Sequence, residues 1–425
     1  MEILARVAVR QLSRVVVIVF LLVSNAQAAV QGIGEEDYPV SQSEKEKEEL
    51  VLGFHGGLAV NYKNDSNIYR SRYISKKVDS AVLRSGENVV GDTALSLIPS
   101  ALYKGEALNR HPYSLSFVGE FARYQKYSTE DYNDFYSLAE MTLDLTKRLD
   151  INLEANYIKS HDARAVPASR INFDLKPDQW ELGRLFAEVV YGRKTNKAQL
   201  KAFVEGIARP YINNRQQTRS RNRIKGGATF YLNVRPRTSL LAAVTFADVD
   251  YYHGATPIDL SSLESNFSVG IKWEATGKTT GQIKVGYLVK DLEDESLRDF
   301  AGLSAQATIL WEPKTYSRVK LLIQRRTDES IQYDSSYFVT TRLAASWEHD
   351  LKENLTFALR FDGQNDKYSA ERDDDLLDYA VDLDYYMNKR LDIGFRYIYS
   401  LKTSNVENTD YIANIFLLKI ALKTL

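Results

Sequence analysis

From about residue 53 to its end the chain alternates apolar and polar residues with a period of two, in segments of about ten to fourteen residues. Leu355, Phe357, Leu359 and Phe361 share one face; Thr356, Ala358 and Arg360 share the other. Phe267, Val269, Ile271 and Trp273 alternate with Ser268, Gly270, Lys272 and Glu274 in the same way, as do Leu391, Ile393, Phe395 and Tyr397 with Asp392, Gly394 and Arg396. Successive side chains of a strand point to opposite faces, whereas a helix needs apolar residues three and four apart. Strands of soluble sandwiches run to about five or six residues, but a tilted membrane strand needs about nine to eleven. Full charges recur in mid-strand on the polar face. The apolar face carries Trp273, Trp311, Trp347 and Tyr397 near segment ends. The pattern predicts an all-β fold: a transmembrane antiparallel up-and-down β-barrel with an apolar outer band, aromatic girdles and a polar lumen.

The connections alternate too. One set is short and basic, including Lys147-Arg148-Leu149-Asp150, Arg235-Pro236-Arg237-Thr238, Thr276-Gly277-Lys278-Thr279, Glu312-Pro313-Lys314-Thr315 and Asn388-Lys389-Arg390. The other is longer and polar: 161–179, 210–222, 250–262, 290–300, 327–336, 366–377 and 402–409. Outer-membrane barrels have short periplasmic turns and long extracellular loops, so strict alternation from residue 147 onward predicts that topology, with about 18 strands from 53–63 to 410–424. The last strand sets Phe416, Leu418, Ile420 and Leu422 against Lys419 and Lys423, the alternating ending common in such barrels, so recognition by the barrel-assembly machinery is expected, although Leu425 replaces the usual terminal aromatic.

The first residues read as a cleaved signal peptide over 1–28. Arg6, Arg10 and Arg14 precede the apolar run Val15–Val23, and Ala26-Gln27-Ala28 has the small-x-small cleavage pattern. A charged periplasmic lead, 29–52, follows, and the barrel occupies 53–425. Such a chain is expected in the Gram-negative outer membrane, in contact with outer-membrane lipid. A formal net charge of -1 lacks the basic surplus of a nucleic-acid binder. The absence of Cys excludes disulfides and thiolate chemistry, and 27 Tyr suit a sheet with wet and dry sides.

The residues predict no enzyme, cofactor or metal centre. The 5 His are scattered, and no nucleophile elbow, P-loop or dinucleotide fingerprint occurs. His111 and Ser114 are too generic to nominate as a hydrolytic pair. Asp382 and Asp384, two apart on one strand, share a face; the choice is between a glycosidase-like pair and an acidic lumen patch balanced by neighbouring cations, and the patch is the reading adopted. Acidic stretches at 370–378 and 291–295 read as solvated loops, since they lack the glycine and terminal Glu of a calcium loop. The polar faces supply the candidate lumen-lining residues Lys272, Glu274, Lys284, Arg318, Lys320, Arg326, Arg342, Arg360, Asp382, Asp384 and Arg396. Tyr386 and Tyr399 stand where alternation could turn them inward. Mixed charge implies a hydrated interior, and sixteen to eighteen strands leave room for an aqueous channel.

As an ordered set, several short motifs resemble the beta-barrel porin 2 family of outer-membrane proteins. They are Asp65-Ser66-Asn67-Ile68, Asp248-Val249-Asp250-Tyr251, Val269 to Thr279, Val285-Gly286-Tyr287, Leu310 to Thr315, Asp328-Glu329-Ser330 and Asp410-Tyr411-Ile412-Ala413-Asn414. Most are turn chemistry and girdle aromatics, so they are read as architecture and not as a site. The resemblance implies a channel for secretion of a surface polysaccharide, exopolysaccharide or capsule. The polymer would pass the barrel with help from a periplasmic polysaccharide-export protein, for which the basic turns and the lead are the docking candidates. Two other functions stay open: a diffusion porin for small polar solutes, with loop 161–179 (Arg164, Arg170, Lys176) folded into the lumen, and a structural surface barrel.

Overall fold

The structure, a computed structural model, describes residues 52–71, 89–108, 110–164, 176–252, 258–274, 278–330, 335–407 and 409–423. The expected signal peptide and charged lead lie outside these residues except for Leu52. Among the described residues the chain forms eighteen strands. The first nine are β1 (Gly53–Asp65), β2 (Asp92–Ala107), β3 (His111–Tyr124), β4 (Tyr132–Thr146), β5 (Leu149–His161), β6 (Gln179–Tyr191), β7 (Ala198–Arg209), β8 (Arg221–Arg235) and β9 (Thr238–Asp250). The rest are β10 (Ser262–Glu274), β11 (Thr279–Leu292), β12 (Phe300–Lys314), β13 (Ser317–Glu329), β14 (Tyr337–Lys352), β15 (Leu355–Tyr368), β16 (Asp373–Tyr386), β17 (Leu391–Ser404) and β18 (Tyr411–Lys423).

Each strand pairs antiparallel with the next, and β1 pairs with β18 from Gly57 opposite Lys423 to Asp65 opposite Ile415. Closure leaves no edge strand, so every ladder hydrogen bond is made inside the sheet, as a bilayer demands. The alternation sorts the faces. Val269, Leu303, Phe267, Tyr287 and Leu185 are exposed on the outside, while Lys290, Thr340, Asp366, Asp374 and Asp382 are buried on the inside. At Gly270 two strands approach so closely that a Cβ would stand 2.0 Å from the carbonyl oxygen of Ile283. A larger residue there must displace β11, as at the glycine kinks that curve a sheet into a barrel.

Some expectations are corrected. Stretch 366–377 is not a loop: β15 runs to Tyr368 and β16 starts at Asp373, leaving only 369–372 between them. The acidic stretch 370–378 is therefore mostly strand, and Asp374 is fully buried against Arg372 at 2.7 Å and Lys402 at 3.0 Å. Loop length does not alternate strictly either, since the short-turn side includes 192–197, which is longer than 369–372. Tyr397 lies mid-strand, its ring 4.8 Å from that of Phe416, and is no girdle residue. Tyr386 is on the lumen face beside Lys423, but Tyr399 faces outward opposite the exposed Tyr379.

Candidate functional site: the lumen and its outer mouth

The inward faces enclose a cavity of about 1360 Å³. Of the residues expected there, Lys272, Glu274, Lys284, Lys320, Arg326, Arg342, Arg360 and Arg396 line it. Arg318, Asp382 and Asp384 share those inward faces but lie outside this cavity: Asp382 is buried between two guanidiniums, and Arg318 stands near the β12–β13 turn. Asp384 lies over Gly394, its Oδ1 2.6 Å from where a Cβ would be. Asp382 accepts from Arg360 and Arg396, each at 2.6 Å. It is thus a counter-ion between two guanidiniums, as the balanced-patch reading requires.

These pairs belong to a ladder that crosses six adjacent strands. Glu312 on β12 meets Arg318 on β13 at 3.2 Å, and Arg318 meets Glu348 on β14 at 3.5 Å. Glu348 meets Arg360 on β15 at 3.1 Å, and Asp382 on β16 links Arg360 to Arg396 on β17. Signs alternate along the row, so each charge is countered by the strand beside it. A shorter row, Glu154–Arg184–Glu205, crosses β5 to β7 at 2.8 and 2.5 Å. The six-strand ladder sits toward the short-turn end of the barrel and is unevenly accessible, with side-chain exposures of 35% at Glu312, 29% at Arg318 and 32% at Arg360 but 15% at Glu348 and 3% at Asp382.

The opposite end is built differently, because its segments fold inward. After β1, the Asp65 carboxylate accepts the Asn67 N–H at 3.0 Å, and the chain turns through Arg70, whose φ of 53° is left-handed. Arg70 is bound by both Asp65 oxygens at 2.9 and 3.0 Å and by the Asn67 carbonyl. Burial, the largest influence on this guanidinium, works against its charge, but the Asp65 carboxylate outweighs it and raises the pKa. Arg164, on the described part of loop 161–179, pairs with Glu130 at 2.5 Å, and both line the cavity. Lys176 is exposed, and Arg170 lies outside the described residues. Arg219 bridges Asp162 and Asp178 and donates to Tyr211 Oη, while Arg209 stacks on Trp180 at 4.3 Å.

A third inward element is the outer end of the β13–β14 hairpin. Pairing of β12 with β13 stops at Ala305 opposite Arg325, although both strands continue. Beyond that point β13 reaches over its neighbours. Thr327 donates to Glu264 on β10 at 2.9 Å, and Glu329 accepts from Lys290 on β11 at 2.6 Å and from Tyr251 at 3.1 Å. Lys290 also donates to Glu264 at 3.2 Å and Ser262 at 2.8 Å, so all three protons of a fully buried ammonium are used. A buried charge is tolerated only when its hydrogen bonds are met this way. Leu292, Tyr337 and Val339 with Phe300 fill the space behind the hairpin.

The lumen face at Lys290 and Lys402 was missed because those positions fell into expected loops. Extending the parity of Lys284 by three alternations would have found Lys290. The family motifs also make contacts beyond turn chemistry. Asp65–Ile68 and Asp410–Asn414 bond to each other: Ser66 N–H donates to the Asn414 carbonyl at 3.0 Å, and Asn414 N–H to Ser66 Oγ at 2.7 Å. Tyr251 and Glu329, from two further motifs, meet at the hairpin. Four of the motifs, at 65–68, 248–251, 328–330 and 410–414, therefore shape the outer mouth of the lumen.

A closed barrel of eighteen antiparallel strands, apolar outside and charged within, defines an outer-membrane β-barrel porin. More specifically, residues 68–424 match the family described as "Putative beta-barrel porin 2", and the chain belongs to it. No curated protein matches the chain. Solved structures similar to it include outer membrane protein opdK from Pseudomonas aeruginosa, at 12% identity over 87% of this chain and 99% of that one, with a TM-score of 0.44. OccK2 (OpdF) from the same organism gives 10%, 88%, 98% and 0.47, and a BenF-like porin from Pseudomonas fluorescens Pf-5 gives 9%, 88%, 98% and 0.45. These barrels are distant, and the fold stands on this chain's own strand closure.

Proposed function

We propose that the protein is a passive diffusion channel for small polar solutes. The observation that carries this reading is the set of charged clusters folded inward at the outer mouth, whose side chains are nearly sealed, at 0% for Lys290, 4% for Arg219 and 8% for Arg164, while Glu312, Arg318 and Arg360 of the ladder stay about a third exposed. A lumen that narrows through folded-in segments admits small hydrated molecules better than a polymer chain. Paired charges of both signs keep its wall wet without trapping one kind of ion. Barrel width and family membership support the same reading.

The test is solute uptake into vesicles containing the purified full chain, measured by swelling with sugars and amino acids of increasing size. A permeability that falls steeply with size is expected. No swelling with any small solute would overturn the reading. Loss of surface polysaccharide from a deletion strain, with small-solute growth intact, would replace it with polymer secretion alongside a periplasmic export protein.

A further inference from the structure

The short-turn end of the barrel carries a charge pattern that the lumen does not use. Eight connections lie at this end, and each presents an exposed lysine or arginine, either in the turn or on the strand residue beside it. Arg110, Arg148, Arg237, Lys278, Lys352 and Arg390 are examples from different turns. Exposed carboxylates are sparser here, and one of them, Glu274, is 3.8 Å from Lys194. The other end mixes the signs, with exposed Asp291, Glu295, Glu371, Asp375 and Glu407 alongside exposed Lys126, Lys176, Arg298 and Lys367.

The apolar outer band runs right up to these cations. Leu145 is exposed two residues before Lys147, Val234 one before Arg235, Leu351 one before Lys352, and Met387 two before Lys389. Tyr316 is exposed in one of these turns, and Trp347 is exposed a few residues deeper. At about 3.3 Å per residue, one or two residues span about 3–7 Å, the step from the acyl boundary to the phosphate plane of a leaflet. Aromatic and apolar residues followed by Lys or Arg are how a membrane protein meets a headgroup layer.

We propose that the short-turn rim binds the anionic headgroups of phospholipids in the periplasmic leaflet. The cations are spread around the whole circumference at a depth set by the apolar band. That distribution fits a ring of lipids, whereas a docked protein would favour a patch on one side. Each guanidinium or ammonium can take a phosphate oxygen while its stem lies along the apolar surface.

The experiment reconstitutes the full chain in phosphatidylcholine vesicles containing a minority of phosphatidylglycerol, extracts it gently, and measures the retained lipids by mass spectrometry. Phosphatidylglycerol should be enriched several-fold over the bulk fraction, and high salt should abolish the enrichment. The variant Lys147→Gln/Arg148→Gln/Lys389→Gln/Arg390→Gln keeps the turn backbones and should lose a large part of it. An outer-end control, Lys126→Gln/Lys367→Gln, should not. Absence of enrichment in the natural chain, or equal enrichment in the rim variant, overturns the proposal. So does salt-sensitive retention of an acidic periplasmic protein on the rim without lipid enrichment, which would make it a protein-docking surface.

Discussion

The side-chain amide of Asn67 donates to the carbonyl of Ile412 at 2.9 Å, tying the turn after β1 to the start of β18 across 345 residues of sequence. The same amide donates to the Ser71 carbonyl at 2.8 Å, and its oxygen accepts the Ser71 N–H at 3.0 Å. One fully buried side chain thus holds the loop that carries Arg70 at the mouth. Asn67→Ala should cost about 1–3 kcal/mol, the usual penalty for buried polar groups left without partners. The thermal midpoint of the folded barrel should fall and single-channel current should become noisier. Unchanged noise with a lowered midpoint would show that the turn stabilises the barrel without controlling the mouth.

Lys290 holds Glu264 and Glu329 together where water is excluded. Lys290→Met strips Glu329 of its cation while Glu264 keeps Arg223 at 3.1 Å, a loss on the order of 3–5 kcal/mol for a broken buried pair. Adding Glu329→Gln should recover part of that loss, because less unpaired charge remains. Chemical unfolding of both variants in vesicles measures the coupling. Additive losses would mean that the pair is not coupled through the lysine.

Removing Arg360 breaks the ladder between Glu348 and Asp382 and leaves net negative charge on the lumen wall. Arg360→Ala should shift the reversal potential under a KCl gradient toward cation selectivity. Asp382→Asn should shift it the other way. If neither substitution moves it, permeating ions do not pass the ladder.

Val269 is exposed at mid-strand on the lipid side of β10. Val269→Arg should destabilise the barrel by about 2–4 kcal/mol, the cost of a basic residue near the bilayer midplane of a barrel. Ser268→Arg, one residue away on the lumen face, should cost far less. Equal losses in urea unfolding would contradict the assignment of faces.

Much of this architecture was legible from alternation alone. The eighteen strands, their order and the inward face of Lys272, Arg342, Arg360 and Arg396 all follow from parity. Parity is local, though, and fails at strand ends. The run Arg372 to Asp375 read as a solvated acidic loop because composition cannot reveal that Lys402 and Arg372 neutralise Asp374 from β17 and the adjoining turn. The departure of β13 from β12 beyond Arg325 likewise left no local signature.

The sequence by itself determined the class of fold, the membrane it suits and which side chains face water or lipid, because these depend on periodicity along a single strand. The tertiary structure alone decided which charges meet. The six-strand ladder, the Lys290 cluster and the Asn67 clasp join residues far apart in the chain. Their partners are set by strand register and barrel closure, and those are properties of the whole sheet.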